Sequence, residues 1–227
     1  MNGEKFNYTV DFLSGAMSLR KPQAESLEIL DKILDAIELR KNINLSEALA
    51  KVHAIRNTCT DFEREFVSLT FALATGVGKT RLMGAFIAYL YARHNIKNFF
   101  VVAPNTTIYE KIKNDLENTS SPKYIFQGTG GLFNMTPKIF ADDDYRNRQI
   151  SIEDEAGIKI YLYNIDKFNK EGAKMKKINE ILGESFYNFL SNLPDLVLIM
   201  DESHHYRAER GFALRALLGR RLHEILL

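Results

Sequence analysis

The chain has 227 residues, 45% of them hydrophobic and 26% charged, enough for one large domain with a full core. Lysine plus arginine (30) nearly balances aspartate plus glutamate (29), which excludes a polybasic nucleic-acid binder and requires any such surface to be local. No stretch approaches the roughly 20 apolar residues of a membrane span, Met1–Arg20 lacks a signal-peptide layout, and the single cysteine, Cys59, excludes an internal disulfide, so the expected compartment is the cytoplasm.

Residues 1–18 show weak periodicity. Leu27, Leu30, Leu34 and Ile37 then fall three and four apart, which predicts a helix from Glu25 to Lys41 with Pro22 just inside its start. Ser46 is placed to cap a second helix reaching about Asn57, with Leu45, Leu49 and Val52 as its apolar stripe. Residues 1–60 are thus expected to form a helical segment, and 61–227 the main domain.

Phe66 to Ala74 is mostly apolar and ends in a glycine-bearing turn. Helical spacing follows through Leu82, Phe86, Ile87, Leu90 and Tyr91. Asn98 to Ala103 is a second apolar run, and after Pro104 helical spacing returns through Ile108, Ile112 and Leu116. Tyr124–Gln127, Ile158–Asn164 and Leu196–Met200 are further strand candidates. Phe133 to Gly157 is polar, with acidic triplets at Asp142–Asp144 and Glu153–Glu155, and reads as an exposed insertion. Beyond Arg207, the spacing of Phe212, Leu214, Leu217, Leu218, Leu222, Ile225 and Leu226 predicts a helix. Short continuous apolar runs alternating with amphipathic helices imply an α/β fold: a mostly parallel sheet covered on both faces, with three α/β/α layers.

Two segments carry chemistry. Thr75-Gly76-Val77-Gly78-Lys79-Thr80 joins a strand to a helix. Glycines let the backbone turn tightly around a ligand, and convergent N–H groups with the following helix's dipole make an anion nest. Lys79 has the reach for β- and γ-phosphates, and the Thr80 hydroxyl suits Mg²⁺, so bound Mg-ATP is expected. The general phosphate-loop pattern would place a glycine where Leu73 stands. The other segment, Asp201-Glu202-Ser203-His204-His205, follows the last apolar run directly. Asp201 at a strand's carboxyl end suits Mg²⁺, and Glu202 suits orienting and deprotonating water. Read alone, the same residues also fit a helix cap with surface histidines. Gly128-Thr129-Gly130-Gly131 reads as a turn, since no Lys-Thr follows.

Thr75–Thr80 with Asp201-Glu202-Ser203-His204 resembles motifs I and II of superfamily 2 DExH helicases. Leu19-Arg20-Lys21-Pro22-Gln23 is similar to their glutamine motif, Ala103-Pro104-Asn105-Thr106-Thr107 to motif Ia, and Tyr163-Asn164-Ile165-Asp166-Lys167 stands where motif Ib is expected. The whole layout resembles the Res subunits of type III restriction-modification enzymes. That resemblance implies a RecA-like motor domain that hydrolyses ATP with Mg²⁺ and moves on duplex DNA. It implies that Gln23 reads the adenine edge, that Pro104, Asn105, Thr106, Thr107 and Lys167 contact DNA, and that His204 and His205 couple the two. It further implies a second RecA-like domain with an arginine finger, and nuclease and modification subunits as partners. Such relatives follow motif II with a strand ending in Ser/Thr-Ala-Thr, which is absent here. The chain is therefore expected to be a fragment that binds nucleotide and hydrolyses it slowly at best. A non-enzymatic assembly module docking through 212–226 and an RNA-dependent ATPase are the alternatives.

Overall fold

The computed structural model describes residues 8–37, 43–63, 66–133, 136–141, 157–164, 189–190, 192–200 and 223–226. Three helices lead: α1 (Tyr8–Ala16), α2 (Lys21–Ala36) and α3 (Leu45–Ile55). Then come β1 (Ser68–Thr70), α4 (Lys79–His94), β2 (Asn98–Ala103), α5 (Thr106–Glu117), β3 (Lys138–Phe140), β4 (Lys159–Asn164), β5 (Leu196–Met200) and β6 (His223–Leu226).

The six strands form one sheet in the order β1-β6-β5-β2-β4-β3, and every pairing is parallel. β2, β4 and β5 are buried almost throughout, which is why they read as continuous apolar runs and not as alternating ones. Phe99, Val101, Ala103, Ile160, Leu162, Val197 and Ile199 face a core shared with α1, α2, α4 and α5. The intervening residues, among them Phe100, Tyr161, Leu198 and Met200, are buried too, with Phe189 edge-on to Tyr161 at 5.8 Å. At the opposite edge from the loops, the Asp195 carboxylate accepts from the Lys97 backbone N–H (2.6 Å) and the Asn98 side chain (2.5 Å), locking the β2–β5 register.

α4 is enclosed. Every residue from Leu82 to Leu90 is buried, because α1 and α2 cover the flank that a surface helix would show to water. Gly84 permits this packing: a Cβ there would lie 2.4 Å from the Ile125 carbonyl oxygen.

Several expectations are corrected. α1 lies in the segment whose periodicity is weak. α2 begins at Lys21, with Pro22 in its first turn, and α3 is capped not by Ser46 but by Asn44, whose Oδ1 accepts from Glu47 N–H at 3.2 Å. Tyr124–Gln127 is a series of turns and not a strand: Gln127 N–H bonds back to Tyr124 O, and Ile125 N–H bonds to Asp115 O. The apolar Ile125 and Phe126 are buried as a plug against α4, not as part of the sheet. The polar 133–157 stretch contains β3, paired to β4, with Phe140 and Ala141 buried. Its acidic triplets lie outside the described residues.

The largest correction is at the C-terminal side. His223–Leu226 is a strand and not the end of a helix, and it fills the slot between β1 and β5. Four residues are too few to show a strand's alternation, so leucine spacing mimicked a helix. A strand thus does follow Asp201–His205, without Ser/Thr-Ala-Thr, and the basis for a docking helix is lost at 223–226. Among the described residues no helix is long and apolar enough to cross a membrane. Cys59 is half-buried, and burial with nearby Asp61 pushes its thiol pKa up.

Candidate nucleotide-binding site

The parallel sheet brings the ends of five strands to one edge. Thr70, Leu226, Met200, Val102 and Tyr163 form a single register row across it. Met200, the residue before Asp201, stands two strands from Thr70, about 10 Å away. Asp201, Glu202, His204, His205 and Lys167 lie outside the described residues.

Beyond β1 the chain runs to a tight loop and enters α4 at Lys79. Gly76 and Gly78 have φ of +83° and +96°, the left-handed region open to glycine without a Cβ penalty. Val77 N–H bonds to Ala74 O across the turn at 3.3 Å, and Gly78 O accepts the first helical N–H groups, from Arg81 and Leu82. A Cβ on Gly76 would meet nothing within 4 Å, so open space adjoins the loop. Thr75 and Gly76 are exposed, and Val77 through Thr80 are half-buried. Lys79 and Thr80 open α4, whose N-terminus carries the positive end of the helix dipole. These features fit Mg-ATP.

Two residues of the N-terminal segment reach this loop. Gln23 is 3% exposed; its Nε2 donates to Gly78 O at 2.8 Å, and its Oε1 accepts from Arg20 N–H at 2.7 Å. The Arg20 guanidinium, itself exposed, donates from Nη1 to Gly76 O at 3.0 Å. The glutamine was legible in the sequence, but the arginine's contact was not.

Arg81 is a further residue that sequence reasoning missed. Its guanidinium donates to Met17 O (2.8 and 3.1 Å), Tyr124 O (3.0 Å) and Gln127 O (2.8 Å). It bolts the end of α1 and the 124–127 turns to the first turn of α4, and burial lowers its pKa. One signal was available: a cation in a helix's first turn opposes the dipole, so such a residue needs another reason to be there.

At the end of β2, Pro104 is buried and Asn105 caps α5, its Oδ1 accepting from Ile108 N–H at 2.9 Å. Thr106 and Thr107 are exposed. Fully buried Asn164, at the end of β4, donates from Nδ2 to the Thr106 hydroxyl at 3.0 Å. The two strand ends are thus linked at the same edge of the sheet as the loop, three and four strands from β1.

The fold agrees with what the chain resembles. The sequence model of one protein family, type III restriction enzyme res subunits, matches residues 17–223, from the Met17 that Arg81 holds to the start of β6. Over 154 residues the chain is 28% identical to the probable type III restriction-modification enzyme HindVIP Res subunit of Haemophilus influenzae. That alignment covers 66% of this chain and 26% of the relative, so the chain spans about a quarter of the relative's length.

Proposed function

Because this chain belongs to the family of type III restriction enzyme Res subunits, with its RecA-like phosphate-loop fold and helicase-like ATPase character, we propose that it is the first ATP-binding motor domain of a DNA-translocating restriction enzyme. The observation that carries this reading is the loop itself: left-handed Gly76 and Gly78 between a parallel strand and the N-terminus of α4. The nucleotide site comprises Gln23 and Thr75–Thr80. Lys79 holds the β- and γ-phosphates, and Thr80 with Asp201 holds Mg²⁺. Bound Mg²⁺ neutralises charge that develops on the phosphates. Glu202 orients the attacking water and takes its proton.

Pro104, Asn105, Thr106, Thr107 and Lys167 form the DNA surface. The Thr106–Asn164 bond and the Asn105 cap support it, because both fix this surface at the sheet edge that carries the phosphate loop. His204 and His205 couple hydrolysis to DNA movement. Residues 1–60 act as a helical cover carrying the glutamine motif, and 61–227 as the motor domain, working in the cytoplasm. Translocation on duplex DNA and cleavage belong to the whole enzyme, with a second motor domain and nuclease and modification functions; an arginine finger from that second domain adds about 10³–10⁵ to the rate.

The test is a calorimetric titration of Mg-ATP into the wild-type chain and Lys79→Ala. Binding by the wild type with a loss of more than tenfold in the variant is expected. Equal affinity in both, or no heat in either, would remove the nucleotide site from this loop.

A further inference from the structure

Resting on the nucleotide site just proposed, we infer that Arg20 and Gln23 are positioning residues that brace the phosphate loop from outside, and that their contribution to nucleotide affinity is independent of the base. In an anion nest the N–H groups converge on the ligand, so the carbonyls must turn outward and find other donors. Here the outward carbonyls are those of Gly76 and Gly78, the two left-handed residues. Arg20 Nη1 satisfies the first at 3.0 Å; the second already accepts the Arg81 and Leu82 N–H groups that open α4 and takes Gln23 Nε2 as well, at 2.8 Å.

A trans peptide sets its N–H opposite its C=O. Gly78 O, held by Gln23 together with the Arg81 and Leu82 N–H groups, therefore turns the Lys79 N–H the other way. The brace fixes peptide planes before any ligand arrives, which removes ordering cost from phosphate binding.

Gln23 is poorly placed to read a base. It is 3% exposed, and both ends of its amide are engaged within the protein, Oε1 with Arg20 N–H and Nε2 with Gly78 O. A purine edge would have to displace these bonds and open a buried helix start. Arg20 is exposed and adds positive charge at the loop's rim, which favours phosphate of any nucleotide.

The experiment measures binding of Mg-ATP, Mg-GTP and inorganic tripolyphosphate to wild type, Arg20→Ala, Arg20→Lys and Gln23→Glu, with thermal unfolding to show that each chain is folded. Arg20→Ala is expected to weaken all three ligands by the same roughly three- to fivefold, the worth of one solvated hydrogen bond, and Arg20→Lys to regain part of it. Gln23→Glu faces Gly78 O with an acceptor and is expected to weaken all three alike, by roughly tenfold. The ATP-to-GTP ratio stays constant throughout. A loss confined to ATP, or no loss in the exposed and readily folded Arg20→Ala, overturns the brace while leaving the site. A wild-type chain that binds none of the three overturns the nucleotide site, and the brace with it.

Discussion

The Gln23 side-chain nitrogen lies 2.8 Å from Gly78 O, and a Cβ built on Gly78 would stand 2.7 Å from that same nitrogen. A methyl group at Gly78 would therefore push the Gln23 amide off this carbonyl. Gly78→Ala adds this collision to the cost of a left-handed residue, together about 1–3 kcal/mol. Mg-ATP affinity is expected to fall more than tenfold, and Tm by about 2–4 °C for each kcal/mol lost. Unchanged binding by calorimetry would mean that the loop tolerates a side chain there.

Arg81 holds three carbonyls from two other segments. Arg81→Ala removes the donors to Met17 O and Gln127 O and leaves Tyr124 O only the Gln127 N–H; the three are partly solvated, so the cost is expected near about 2–3 kcal/mol. Arg81→Lys should recover little, because a single ammonium cannot span the fork. Urea unfolding of the two variants measures both effects, and a lysine variant as stable as wild type would contradict the forked arrangement.

Gly84→Ala sets two effects against each other. Alanine raises helix propensity by about 1 kcal/mol, yet the new Cβ would sit 2.4 Å from Ile125 O and 2.7 Å from Ile125 Cγ1. Backbone on the receiving side cannot swing away, and overpacking of this kind costs about 1–3 kcal/mol. Net destabilisation is expected in thermal melts; a stabilised variant would show that the 124–127 turns move freely.

His94 supplies a pH dependence. Burial lowers its pKa from 6.5, Arg93 lowers it further, and Asp35 and Asp31 pull the other way; its Nε2 lies 3.3 Å from the Tyr89 hydroxyl, which donates to Asp31 at 2.5 Å. The unfolded chain binds this proton first as pH falls. Stability is therefore complete above 6.5, declines from there to the lowered folded value, and is constant below it. Asp115, with a raised pKa, contributes with the opposite slope, so the measurement is the difference between wild type and His94→Gln. That difference should change sign-consistently between pH 7 and pH 5 in urea unfolding; a flat difference would mean that His94 keeps its ordinary pKa.

The bounds of β2 and β5 were legible because each is a continuous apolar run stopped by a polar or proline residue, and such runs have few other places to go. The phosphate loop was legible because glycine and lysine types carry its chemistry. β6 was not, since four residues inside a sheet have no period to read, and Tyr124–Gln127 has the composition of a strand but is pinned as turns by Arg81 from 43 residues away. The bonds of Arg20, Gln23 and Arg81 were hidden for one shared reason: their acceptors are main-chain oxygens, which every residue has and no sequence marks.

The enclosure of α4 sets the order in which the molecule opens. Its amides between Leu82 and Leu90 have no local path to solvent and should be among the slowest to exchange with deuterium, while the Thr75–Val77 amides at its mouth exchange quickly. The part of α4 next to the loop is thus the part that opens last, so a ligand on the loop would meet a firm seat, while the exposed turn at Ala92 and Arg93, about 20 Å along the axis, opens earlier.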